Sequence, residues 1–141
     1  MFIDAQHLFS DAQALTATAA STNSIDLGSD RNIGVGEPMS VVITCDVAMG
    51  GTSPTFIATL QADDNSAFSS AVSVIACPQK TAIAAGEQIV LPVPADAMTE
   101  RYIRLNYTMG GTSPTVTVTA HLMPSSMVQN YQSYADGFTI S

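Results

Sequence analysis

Met49-Gly50-Gly51-Thr52-Ser53-Pro54-Thr55 returns letter for letter as Met109-Gly110-Gly111-Thr112-Ser113-Pro114-Thr115. The flanks match as well. Val41-Val42-Ile43-Thr44-Cys45-Asp46-Val47 precedes the first copy and Tyr102-Ile103-Arg104-Leu105-Asn106-Tyr107 the second. Phe56-Ile57-Ala58-Thr59-Leu60 and Val116-Thr117-Val118-Thr119-Ala120 follow them. All four runs are rich in β-branched and aromatic residues and alternate with period 2, which puts successive side chains on opposite faces of a strand. At the common offset the expected inward positions coincide: Ile43 with Ile103, Cys45 with Leu105, Val47 with Tyr107, Phe56 with Val116 and Ala58 with Val118. The pattern predicts a strand–turn–strand unit used twice, over about 39–62 and 101–122. Gly-Gly would supply the positive φ of a tight reversal, and Pro54 or Pro114 would fix the entry to the return strand.

A chain of 141 residues is long enough for one well-buried core. It is 46% apolar but only 11% charged, against a usual charged share of about 25%. So few charges on a surface point to coverage by sister copies or a larger assembly. The net charge is −8, with four basic residues, Arg31, Lys80, Arg101 and Arg104. No basic face can be assembled from them, so direct binding of nucleic acid or of an anionic membrane is not expected. No apolar run reaches the length of a membrane span, and Met1–His7 lacks the basic start and apolar core of a signal peptide. The corresponding expectation is a chain made and kept in the cytoplasm unless it leaves as part of something larger. Cys45 and Cys77 fall in strand-like runs and read as two small buried thiols.

Taken in order, the chain divides into an extended arm over 1–24, a β-sandwich over 25–124 and a tail over 125–141. Within the arm, Asp11–Leu15 after Ser10 predicts a helical turn. The rest of the arm reads as extended, lying on a neighbour or on its own sandwich. Ser24–Gly28, Phe68–Ala76 and Glu87–Pro94 read as further strands, the last ended by Pro92 and Pro94. Short turns between successive strands predict an antiparallel two-layer sandwich. Alternating direction brings the loops 49–55, 78–87 and 109–115 to one end, where the two copies of the repeat stand side by side. The tail from Met123 carries Met127, Val128, Tyr131, Tyr134 and Phe138, apolar anchors that need something to pack on.

Groups that carry chemistry are sparse. His7 and His121 have no ligand-type neighbour at a useful spacing, and His121 falls on the polar face with Thr117 and Thr119. Asp63-Asp64-Asn65 crowds oxygen ligands but lacks the spacing and distal Glu of a calcium loop; Asx residues of this kind are ordinary turn formers. There is no nucleophile elbow, phosphate-cradling Gly loop or HExxH motif. No catalytic residue, metal or cofactor is expected.

One long resemblance crosses this reading. Phe9-Ser10-Asp11-Ala12-Gln13-Ala14-Leu15-Thr16-Ala17-Thr18-Ala19-Ala20-Ser21-Thr22-Asn23-Ser24-Ile25-Asp26-Leu27-Gly28 resembles the opening of the capsid cement proteins of tailed double-stranded-DNA bacteriophages, the type described for a short-tailed Bordetella phage. Ile33-Gly34-Val35-Gly36-Glu37-Pro38, Leu60-Gln61-Ala62-Asp63-Asp64-Asn65-Ser66-Ala67-Phe68 and the second Gly-Gly-Thr-Ser-Pro-Thr stretch continue it, over roughly 1–138. The resemblance implies an all-β, antiparallel jelly-roll sandwich on the exterior of the virion. There it would clamp neighbouring major capsid proteins as a homodimer, or as a homotrimer as in related cement proteins. The candidate contacts are the apolar anchors Phe2, Leu8, Phe9 and Leu15 of the arm, Met49 and Met109 of the repeat, and Tyr131, Tyr134 and Phe138 of the tail. The alternative class is a small phage module that grips a glycan or host surface through the paired repeat loops.

Overall fold

The computed structural model describes residues 5–30, 37–94 and 99–127. Seven strands follow in chain order: β1 (Leu8–Leu15), β2 (Ala19–Ala20), β3 (Ile25–Asp26), β4 (Met39–Asp63), β5 (Val72–Ala76), β6 (Gln88–Pro92) and β7 (Tyr102–Pro124). All pairings are antiparallel. The two strands that contain the repeat, β4 and β7, lie side by side from Met39↔Pro124 to Asp63↔Tyr102. β1, β2 and β3 take the far side of β7; β5 and β6 take the far side of β4.

The result is a four-track ribbon, and the ribbon is folded over on itself. Ser10 pairs with Ala120 on β7, and roughly 40 Å of extended strand would separate Ala120 from Tyr107 on that same strand. Yet the hydroxyls of Ser10 and Tyr107 are 2.8 Å apart. Only a fold at the middle of the long strands brings them together. The inner faces of both halves then share one core: Ile43 and Val118 from one, Phe56, Leu60, Ile103, Leu105 and Tyr107 from the other. Phe56 and Tyr107 stack with ring centroids 5.8 Å apart, a contact worth about 1 kcal/mol beyond its burial. This is the all-β antiparallel sandwich that the strand pattern and the resemblance both called for.

The hinge of that fold is the repeat, and here the expectation of two tight hairpins is corrected. Neither copy closes a hairpin, since the flanks of each pair with the other copy's strand and not with each other. Each runs through a bent strand, and the copies pair with each other, Gly50↔Thr115, Thr52↔Thr112 and Thr55↔Gly110, with register shifts between 45 and 55. Gly51 and Gly111 carry positive φ (115° and 97°), and so do Ser53 and Ser113 (49° each). Such bulges bend a strand and raise its twist without ending it. The prediction failed because Gly-Gly and a following Pro permit a bulge as readily as a turn, and only the partner strand decides between them.

Three further corrections follow from local geometry. Val47, expected inside as the counterpart of Tyr107, is 59% exposed, because the shift between Cys45 and Val47 reverses the side on which its side chain emerges. The helical turn expected over 11–15 is instead strand β1, bulged near Ala12, whose φ is +46°. His121, placed by the letters on the polar face of its strand as a solvated or structural histidine, is buried at 1% exposure.

Candidate interaction surface

The bend gathers the end of the molecule that the loop parity anticipated. The Met49 amide donates to Ile83 O at 2.9 Å, which brings the 78–87 loop beside the first repeat. On the opposite flank Thr18 serves the second: its Oγ1 accepts from the Met109 amide at 3.0 Å and donates to the Met109 carbonyl at 3.3 Å. At the centre the two copies interlock. A Cβ on Gly51 would lie 2.7 Å from Ser113 O and one on Gly111 would lie 2.5 Å from Ser53 O. Thr115 Oγ1 covers Gly50, and Thr55 Oγ1 covers Gly110. Gly51 and Gly111 leave room for the other copy's backbone, which occupies the space of a side chain.

Residues 51–53 and 111–113 are exposed on this end, as are Asp46, Val47 and Ala48. No Asp, Glu, Lys or Arg occurs from Val47 to Ala62 or from Leu105 to Ala135. Apart from Asp46, whose carboxylate accepts from Thr119 Oγ1 at 2.5 Å, the surface of the two repeats is hydroxyl, glycine, proline and small apolar groups. Such a surface suits close contact with another protein, since it loses little side-chain entropy and desolvates little charge.

The described basic residues are engaged within the chain. Arg101 donates to both carboxylate oxygens of Asp26, at 2.7 and 2.9 Å. That hydrogen bond, with the Gly28 amide, holds the Asp26 carboxyl below its ordinary range. Arg104 donates to Gln61 Oε1 at 3.0 Å and lies over the Phe68 ring. Lys80 pairs with Glu87 at 3.4 Å. Asp63 closes the 64–71 turn: its oxygens accept from the amides of Asn65 and Ser70 at 3.1 and 2.8 Å. Burial pushes the Asp63 carboxyl up, but the Asp64 side chain and these amides outweigh it and leave it below its ordinary value, while Asp64 is pushed up by Asp63. Among the described residues no three His, Cys, Asp or Glu side chains converge as a metal site. Cys45 and Cys77 are free, buried thiols, and burial raises the Cys45 pKa first, with Asp46 and Glu87 adding to it.

The candidate contacts divide sharply. Phe9 and Leu15 point into the chain's own core at 0% and 2% exposure, so they are unavailable to a partner. Their run had two possible beds, a neighbour or its own sandwich, and from Leu8 to Ala20 the strands of the arm pair along β7 of the same chain. Leu8 is half-buried; Met49 and Met109 flank the bend, half-buried against the core. Phe2, Tyr131, Tyr134 and Phe138 lie outside the described residues. Sequence reasoning missed Val47, the large apolar side chain exposed at the bend, because nothing in the letters marks a one-residue bulge. It also missed the chain Tyr107 Oη–Ser10 Oγ–Gln13 Oε1 (2.8 and 2.7 Å), which ties β1 to the opposite layer.

A family model described as Bbp16 matches residues 9–122. No curated protein matches. Among solved structures, one of infectious bursal disease virus, Gx strain, is similar at 15% identity and a TM-score of 0.34. The match covers 82% of this chain and 30% of that one.

Proposed function

The chain belongs to the Bbp16 family, named for a Bordetella phage protein, and from that premise we propose that it is a capsid cement protein. Membership over residues 9–122 supports a structural, non-enzymatic protein of a phage virion, and it is the observation that carries this reading. The cement role adds a place and a partner. The protein binds the outside of the icosahedral shell, as a homodimer, and bridges neighbouring major capsid proteins.

The physical action is mass action repeated over the shell. Each bound copy contacts two or more capsid subunits, so separating them under the pressure of packaged DNA also breaks the cement contacts. The charge-poor end at the bend, with Val47, Met49 and Met109, supplies contact area at low desolvation cost. The described cations are engaged with Asp26, Gln61, Phe68 and Glu87, which agrees with a partner that is protein and not nucleic acid.

The deciding experiment adds purified chain back to expanded capsids stripped of it, counts bound copies by sedimentation and follows shell rupture on heating. Saturable binding at many copies per shell with a higher rupture temperature is the expected result. No binding, or a few copies per particle, overturns cement and leaves the host- or glycan-binding module.

A further inference from the structure

Every ladder among the described residues joins the part of the chain before the 64–71 turn to the part after it. β1, β2 and β3 pair with β7; β4 pairs with β5, β6 and β7; the isolated bridge Phe56↔Lys80 follows the same rule. No strand of 8–63 pairs with another strand of 8–63, and none of 72–124 with another of 72–124. The ribbon interleaves them: first half, second half, first half, second half. The sandwich is thus an association of two halves, each without a ladder of its own, and the 64–71 turn is the short covalent link between them.

We propose that the chain also assembles as an interlaced dimer, in which residues 8–63 of one copy pair with residues 72–124 of a second copy and the 64–71 segment opens as the hinge. Each ladder and the core packed between the two layers are retained in such a dimer, so the two forms differ at the hinge, where Phe68 and its contact with Arg104 are given up, and in concentration dependence. The hinge is built for opposing pulls. Phe68 sits in the left-handed region at φ +52°, a strained conformation for a bulky residue that opening relieves. Asp63 holds the turn shut by accepting from Asn65 and Ser70. The proposal rests on the ladder map alone and stands or falls separately from the cement reading.

The test uses two full-length chains, one carrying Thr52→Cys and the other Thr112→Cys. These positions face each other across the β4–β7 ladder, where opposite Cα atoms are about 4.5–5.5 Å apart, within disulfide range. In the closed monomer neither variant has its facing cysteine. In the interlaced dimer, Cys at 52 of one chain meets Cys at 112 of the other. The two are unfolded together, refolded at high concentration and oxidised; a second sample is mixed after separate folding. Cross-linked dimer several-fold above the pre-folded mixture is the expected result, and equal yields overturn the proposal. Deleting residues 64–71 gives a second readout, since Asp63 joined directly to Val72 cannot close a hairpin. A folded dimer by light scattering supports the proposal and a folded monomer overturns it; if the deleted chain fails to fold, the cysteine pair decides.

Discussion

Thr52 and Thr112 hold the same place in the two copies of the repeat and stand opposite each other in the β4–β7 ladder. They are the point about which the two halves exchange: Gly50 faces Thr115 as Gly110 faces Thr55, and Gly51 meets the backbone of 112–114 as Gly111 meets that of 53–54. A seven-residue motif that binds its own copy in antiparallel register makes a local two-fold axis inside one chain. The sandwich is folded at that axis.

Gly51→Ala and Gly111→Ala should therefore cost alike. Each puts a Cβ within 2.7 Å or less of a backbone oxygen at a positive φ, and we expect a loss of about 2–4 kcal/mol from clash and backbone strain together. Gly86→Ala is the control: its φ is +85° but nothing lies within 4 Å of the added Cβ, so about 1–2 kcal/mol is expected. Urea unfolding of the three variants checks the ranking.

Tyr107→Phe removes the hydroxyl that donates to Ser10 Oγ across the core. Ser10 keeps its bond to Gln13, so the expected loss is about 1 kcal/mol. A double-mutant cycle with Ser10→Ala should return a coupling of similar size; additive losses would mean that the two hydroxyls do not act together.

Phe9→Ala should destabilise by about 3–5 kcal/mol, the range for a large aromatic removed from a packed core. A freely reaching arm would tolerate the change. The same burial predicts that deleting residues 1–20 lowers the thermal midpoint severely, since it removes β1 with Phe9 and Leu15.

Burial lowers the His121 pKa from its ordinary 6.5. Above pH 6.5 both the folded and unfolded chains hold this imidazole neutral. As pH falls below 6.5 the unfolded chain takes up the proton first, so stability declines from there down towards the folded pKa. His121→Gln should flatten stability just below pH 6.5 in urea titrations. Asp26 and Asp63 act in a separate, more acid window: both carboxyls are held below 3.8, so their contribution is lost only as pH falls beneath that value. An unchanged slope just below pH 6.5 in the Gln variant would exclude His121 as its source.

Much of the fold is legible in the letters, and the reason is local. Alternation over 39–62 and 101–122 marked β4 and β7 nearly to their ends, Met39–Asp63 and Tyr102–Pro124, because period-2 patterning is set by which face of each strand is buried. Asp63 and Asn65 mark a turn through hydrogen bonds made within a few residues, whereas the strand read over Phe68–Ala76 begins only at Val72 because the Ser70 amide closes that turn on Asp63. The absence of charge around both repeats is likewise a property of composition.

What the amino-acid sequence determined by itself is therefore the class, the placing of the long strands, and a chain made twice over from one motif. The tertiary structure decided what the motif does. Gly-Gly-Thr-Ser-Pro-Thr is compatible with a reversal or a bulge, and these have nearly equal local cost. The choice was made by the second copy, whose backbone fills the space above Gly51 and Gly111. The exposure of Val47, the burial of His121 and the interior place of Phe9 all follow from that long-range pairing and its one-residue shifts, because a single-residue slip moves a side chain to the other face of the sheet.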